Sequence, residues 1–175
     1  MRQEMLDCLA AFAKSWPELK ILIVTRDERE ALRADLERSG VPRERLAIVS
    51  APFEDMPRYV RLFDAGLFFI KPSFAKRASA ATKLAEFLGC GVPVVINDGV
   101  GDSGAIVRGG PGGPVGVVAL SLDAAGFDAA LSRLRAAIGD PATADRCRRV
   151  AEEVFDLEAG VEKYRGLYRQ LCASH

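Results

Sequence analysis

Five short runs of the chain are apolar almost without a break: residues 20–25 (KILIVT), 46–50 (LAIVS), 66–70 (GLFFI), 92–97 (VPVVIN) and 115–120 (VGVVAL). A strand with one wet face alternates apolar and polar positions. These runs do not alternate, which predicts parallel strands covered on both faces. Between them the apolar positions recur every three or four residues, the spacing of a helix with one buried stripe. Residues 3–15 carry such a stripe in Met5, Leu6, Leu9, Phe12 and Ala13, with Trp16 packing at its end. Residues 28–39 place Ala31, Leu32, Asp35 and Leu36 at helical spacing and stop at Gly40, a residue suited to a helix C-terminus. Asp55 is placed to cap a helix over 55–63, with Pro57 in its first turn. Further helices are predicted over 82–89, 124–138, 142–155 and 157–171, the last anchored by Tyr164 and Tyr168.

Alternating strands and helices of this kind define an α/β fold: a Rossmann-like, three-layer parallel sheet with helices on both faces, in one domain spanning 1–175. Residues 109–114 (GGPGGP) are a turn ahead of a strand, too short to link domains. The first element is a helix, whereas a doubly wound sheet opens on a central strand. Either the topology differs, or the sequence starts inside a longer protein; the second reading is favoured.

Composition changes this picture mainly by exclusion. Lys plus Arg number 24 and Asp plus Glu number 24, so the basic excess of a general nucleic-acid binder is absent. No apolar run is long enough for a bilayer, and the charged N-terminus has no signal-peptide core, which points to a cytoplasmic protein. Cys8, Cys90, Cys147 and Cys172 match neither a zinc pattern nor a redox pair and read as reduced thiols. The one histidine is His175, the terminal residue, so a histidine base or a histidine-ligated metal is not expected. No acidic cluster suggests a metal site, and no cofactor is expected. Arg146, Arg148 and Arg149 read as a solvated face, with contact to an anionic membrane as the sharper alternative.

The chemistry concentrates between Phe69 and Asp102. A strand ends at Lys71, Pro72 and Ser73; a loop carries Lys76, Arg77 and Ser79; a helix begins near Ala80. Leu84, Phe87 and Leu88 give that helix a buried face, while Thr82, Lys83 and Glu86 share another. The small residues Ala78, Ser79, Ala80 and Ala81 keep the helix start open. Its free N–H groups and dipole suit a phosphate, to which Lys76, Arg77 and Lys83 add positive charge. Glu86, one turn in, is positioned to accept hydrogen bonds from a ribose diol. A Lys and a Glu three apart also form an ordinary surface pair, so pattern alone leaves both readings open. Residues 99–102 (GVGD) form a second glycine-rich turn after a strand.

The stretch 80–102, strongest at Glu86 and at the run Cys90, Gly91, Val92, Pro93, Val94, Val95, resembles the donor-site signature of the large retaining glycosyltransferase family with the GT-B fold. Residues 60–73 and 155–171 resemble that family's segments too, so the resemblance covers nearly the whole chain. It implies that Glu86 binds the nucleotide ribose, that Ala81, Thr82 and Lys83 offer amides to the diphosphate, and that Ser50, Pro52 and Phe53 lie near the base. It implies further that Gly99, Gly101 and Asp102 flank the donor. The family's first signature Glu falls at Ala78 here. A branch reading Ser-Pro-Thr-Lys before the second Glu is close to Ala80, Ala81, Thr82, Lys83.

The expectation is therefore the C-terminal half of a GT-B enzyme, N-terminally truncated, lacking a first strand and the acceptor-binding N-terminal domain, with Met1 internal. It binds a nucleoside-diphosphate sugar of unspecified base, with no catalytic residue assigned on this chain. The whole protein would transfer the sugar with retention to a glycan or lipid-linked acceptor in polysaccharide biosynthesis, with peripheral membrane association among its possible contacts. The alternatives are a sugar-nucleotide epimerase-like domain and a non-catalytic interaction module using an open sheet edge.

Overall fold

The computed structural model describes residues 1–109 and 112–173. His175 lies outside the described residues, as does part of the predicted turn over 109–114. Five strands form where the apolar runs predict them, each trimmed at its ends: β1 (Ile21–Val24), β2 (Leu46–Val49), β3 (Gly66–Phe68), β4 (Val94–Asn97) and β5 (Gly116–Ala119). The helices are α1 (Arg2–Ser15), α2 (Arg29–Arg38), α3 (Met56–Val60), α4 (Thr82–Gly89), α5 (Ser103–Arg108), α6 (Ala124–Gly139), α7 (Thr143–Phe155) and α8 (Leu157–Ala173).

All strand pairings are parallel, in two hydrogen-bonded sets: β1 with β2, and β3, β4, β5 in that order. In the second set the layers are complete. Val95, Val117 and Ala119 face α1 and α6, joining Phe12, Phe127, Leu131 and Leu134 in one cluster. Their neighbours Val94, Ile96 and Val118 point the other way, onto Leu84 and Leu88 of α4, Val107 of α5 and Cys147 of α7. Successive strand side chains thus reach opposite cores, which is why these segments cannot alternate with polar residues. In the first set Ile21, Leu46 and Ile48 pack on α1 and α2 beside Leu6, Ala13 and Leu36. The opposite face is incompletely covered: Leu22 and Val24 are half-buried and Ala47 is exposed.

Several local expectations are corrected. Asp55 makes no capping hydrogen bond; a 3-10 turn over Phe53–Asp55 precedes α3, which stops at Val60. Residues 99–102 lead into a further helix, α5. Tyr164 and Tyr168 do not anchor α8: they are 68% and 66% exposed, and α8 buries no residue. Its Leu157, Val161, Tyr164, Tyr168 and Leu171 form a bare apolar stripe at alternating four- and three-residue steps. Arg146 is not solvated, being tied to Asp140 at 2.7 Å, to Thr143 Oγ1 at 2.7 Å and to the Pro114 carbonyl at 3.3 Å.

The four cysteines are free. Burial pushes the Cys8 thiol up to about 12 and the Cys147 thiol up to about 11, so both stay protonated and inert as nucleophiles at neutral pH. No helix among the described residues is long and apolar enough to cross a membrane.

Candidate functional site

The singled-out residues gather at the carboxyl ends of the strands, where open α/β sheets bind ligands. They fall into two groups, one on each strand set.

The larger group stands on β3 and β4, and one buried side chain organises it. Asn97, the last residue of β4, accepts from the Ile70 N–H through Oδ1 at 2.8 Å. Its Nδ2 donates to the Ile70 carbonyl at 2.8 Å and to the Asp98 carbonyl at 2.9 Å. The amide group thus mimics one more ladder step after the backbone strands diverge. It fixes the departure of two loops at once, 71–81 from β3 and 98–102 from β4.

The two loops then meet again. Gly101 donates its N–H to the Lys76 carbonyl at 2.9 Å, and a Cβ built at Gly101 would lie 2.2 Å from the Ser79 carbonyl oxygen. With φ at +49° as well, this position accepts glycine alone at no cost. Asp98 holds the second loop from below: its Oδ1 accepts from the Gly99 N–H at 2.9 Å and its Oδ2 pairs with Arg108. The Arg108 guanidinium, and then the Gly99 N–H, keep the Asp98 carboxyl below its usual value.

Lys76 and Ser79 lie on and just after a 3-10 turn over Ala75–Ala78, and α4 follows at Thr82. Ala81 is the N-cap and supplies no side-chain acceptor; its carbonyl takes the Leu84 N–H at 2.8 Å, and the Thr82 and Lys83 N–H groups ahead of it are left to an external acceptor. Thr82, Lys83 and Glu86 are exposed, while Leu84 and Leu88 are buried, so the two predicted faces are correct. The surface-pair reading of Lys83 and Glu86 is not realised: neither side chain forms an ion pair or hydrogen bond among the described residues, and nor do those of Lys76 and Arg77. Asp102 is exposed and makes no cap hydrogen bond to α5.

The height of α4 above the sheet is set by an aromatic contact. The Phe87 ring stacks on Phe68 at 6.2 Å and tilts against Phe63 at 5.9 Å. Phe87 also fills the space over Gly66, where a Cβ would lie 2.7 Å from its ring atoms. On its other side α4 packs on α7, and Gly91, at φ +78°, leaves room for Arg148.

The smaller group lies at the ends of β1 and β2. Ser50 and Pro52 are exposed there, flanking a shallow cleft of about 280 Å³ lined by Val24, Thr25, Arg26, Ala51, Phe53 and Met56. Phe53 is 72% exposed and offers an open ring at its rim.

Sequence reasoning missed three residues of this region. Asn97 reads as the end of a strand, because its partner Ile70 is 27 positions away. Arg26 follows β1 without a motif. Ser103 is buried at the start of α5 with no hydrogen-bond partner for its hydroxyl. Among the described residues no group of three or more His, Cys, Asp or Glu converges as metal ligands would.

No protein-family model matches the chain, and no curated protein matches it. Solved structures do. A mutant O-GlcNAc transferase from Thermobaculum terrenum is 23% identical with a TM-score of 0.63, over 95% of this chain and 33% of that one. A structure described as the GtfA/B complex is 16% identical with a TM-score of 0.58, over 86% of this chain and 29% of that one. The present chain therefore spans about a third of the length of the structures it matches. This likeness establishes the fold alone: a parallel-sheet, Rossmann-like α/β domain of the kind that forms one half of a GT-B fold.

Proposed function

We propose that this chain is the donor-binding domain of a glycosyltransferase and holds a nucleoside-diphosphate sugar against the start of α4. The observation that carries this reading is the arrangement there: the uncapped amides of Thr82 and Lys83, the Lys83 and Glu86 side chains without partners among the described residues, and two loops clamped against each other beside them. The diphosphate binds the first-turn N–H groups with Lys76 and Lys83 as counter-charges. Glu86 accepts from both ribose hydroxyls. Gly101 lets the second loop approach closely, and Asp102 accepts from hydroxyls of the sugar. The base extends toward Ser50, Pro52 and the open face of Phe53.

In the whole enzyme the same groups stabilise the charge that develops on the departing diphosphate, with transfer proceeding with retention of configuration. The acceptor, a glycan or a lipid-linked chain at a membrane surface, is held by polypeptide outside these residues. The likeness to two glycosyltransferases supports this assignment, and the enzyme works in the cytoplasm on this reading.

The test is calorimetric titration with UDP, GDP and ADP and their common sugar conjugates, in wild type and Glu86→Ala. A charged hydrogen bond contributes about 1.5–3 kcal/mol, so the variant should bind roughly ten- to a hundredfold more weakly. Equal affinity in the two proteins removes Glu86 from the site. Absence of binding to every nucleotide refutes donor binding by this chain.

A further inference from the structure

The apolar stripe of α8 has neighbours that restrict what can cover it. Leu157, Val161, Tyr164, Tyr168 and Leu171 are all exposed and follow one another at four, three, four and three residues. That is the seam of a heptad repeat, with 161 and 168 at its a positions and 157, 164 and 171 at its d positions. None of these side chains joins a core cluster among the described residues. A helix that lies on a globular core carries a wider stripe; a narrow a and d seam fits one partner helix. Tyrosine suits such a seam, since its ring can be buried while its hydroxyl stays wet.

The residues beside the seam select the partner's orientation and register. The e positions hold Glu158 and Arg165, and the g positions hold Gly160 and Leu167. Two copies of this helix laid antiparallel set a against d, e against e and g against g. With the two-fold axis between residues 162 and 163, Val161 meets Tyr164 of the copy and Leu157 meets Tyr168, so each of four layers sets an aliphatic side chain against a ring. The same register sets Glu158 against Arg165 on both sides of the seam. It also lays Leu167, an exposed apolar residue outside the stripe, over Gly160, where a Cβ would have nothing within 4 Å. Sliding one heptad either way sets Glu158 against Glu158, or Arg165 against Arg165. A parallel pair stacks each tyrosine on its own copy and turns Arg165 toward Gly160, which loses the charge pairing. One arrangement alone satisfies charge, size and spacing together.

We propose that α8 pairs antiparallel with α8 of a second copy of this chain, in a two-fold dimer held by that seam and by two Glu158–Arg165 pairs. The interface is isologous, so each contact occurs twice. Glu158 has no ion pair or hydrogen bond among the described residues, and Arg165 uses one nitrogen on Glu162 of its own helix at 2.6 Å, which leaves the rest of its guanidinium for the copy. The two domain bodies join the helix pair at opposite ends, about 25 Å apart at the rise of an α-helix.

Sedimentation equilibrium from about 1 to 500 µM tests this without any nucleotide, so its failure is separable from failure of donor binding. The chain should pass from monomer to dimer within that range. Val161→Asp should abolish the dimer. Glu158→Arg and Arg165→Glu, each of which creates two like-charge contacts by symmetry, should each raise the dissociation constant by about tenfold or more. The two together should restore it to within about threefold of wild type. All these positions are exposed, and circular dichroism checks that each variant stays folded. Leu171→Cys, with Cys172→Ser, should give no disulfide-bridged dimer on oxidation, because antiparallel pairing holds the two sites at opposite ends of the seam. A chain that stays monomeric throughout overturns the proposal, since the stripe then belongs to another polypeptide or to solvent. A dimer indifferent to Val161→Asp overturns it, because another surface then joins the copies. A double charge reversal no tighter than the single ones, or a ready bridge at 171, overturns the antiparallel register.

Discussion

Replacing Asn97 with alanine removes the clamp from which the loops over 71–81 and 98–102 both depart. Three hydrogen bonds are lost, all at 2.8–2.9 Å, from a residue that is 6% exposed. At about 1 kcal/mol net each the loss sums to about 3 kcal/mol, and half-buried Ile70 admits enough water to keep it from rising much further. For a chain of this length that corresponds to a melting point lower by roughly 6–12 °C. Urea denaturation gives the free energy and a thermal scan the shift. Nucleotide affinity should fall as well, because residues 71–81 and 98–102 lose their shared origin. Asn97→Asp separates geometry from size. It keeps an acceptor for the Ile70 N–H but sets a carboxylate against two carbonyl oxygens. Its carboxyl should therefore titrate above the usual range in the folded state, so the variant gains stability relative to wild type as pH falls and is weakest at neutral pH. An Asn97→Ala variant within about 0.5 kcal/mol of wild type would refute the clamp.

Gly101→Ala combines a left-handed φ with a methyl group 2.2 Å from the Ser79 carbonyl, so the loops must part. A stability loss of about 1–3 kcal/mol with a larger proportional loss of nucleotide affinity is expected, and unchanged binding would show that the loops do not act together. Ser103→Ala removes a buried hydroxyl that has no partner and should leave stability equal or raise it by up to about 1 kcal/mol; a clear loss in denaturant would show that the hydroxyl is satisfied. The Asp98 carboxyl is depressed by Arg108, so its stabilisation is present above the unfolded carboxylate pKa near 4 and is lost as pH falls through the lower folded value. Asp98→Asn should flatten the acid limb of the stability curve, and a curve that keeps its wild-type shape would deny the pair that role.

All five strands were legible as uninterrupted apolar runs; in β4 and β5 two covered faces leave no polar position to hide the signal. The two faces of α4 were equally plain, since Leu84 and Leu88 recur at helical spacing against Thr82, Lys83 and Glu86. What escaped depends on contacts distant in sequence. Asn97 gains its role from a strand 27 residues earlier. α5 starts with Ser-Gly and carries Ile106 and Val107, a composition closer to loop and strand, yet Gly104 lies against the Asp98 and Arg108 pair that fixes the turn before it. Arg146 looked solvated because its partners Asp140 and Pro114 are invisible to a three-residue charge run. Tyr164 and Tyr168 have anchor spacing, but a periodic stripe gives no information on whether anything covers it. The division of the strands into two hydrogen-bonded sets is likewise not written in any one apolar run, which records that a strand wants neighbours and not which it has.

Gly66 has a consequence that reaches beyond packing. With no side chain there, the Phe87 ring settles directly on the start of β3, and its chain neighbour Glu86 is carried at a set elevation above the strand ends. A single methyl group under that ring would act as a shim. It would raise the near side of α4 and move the carboxylate and the leading amides relative to the opposing glycine turn, leaving every ligand-facing residue unchanged. On the proposed function, donor affinity would thus be adjustable from the floor of the helix, by a residue that touches no donor atom.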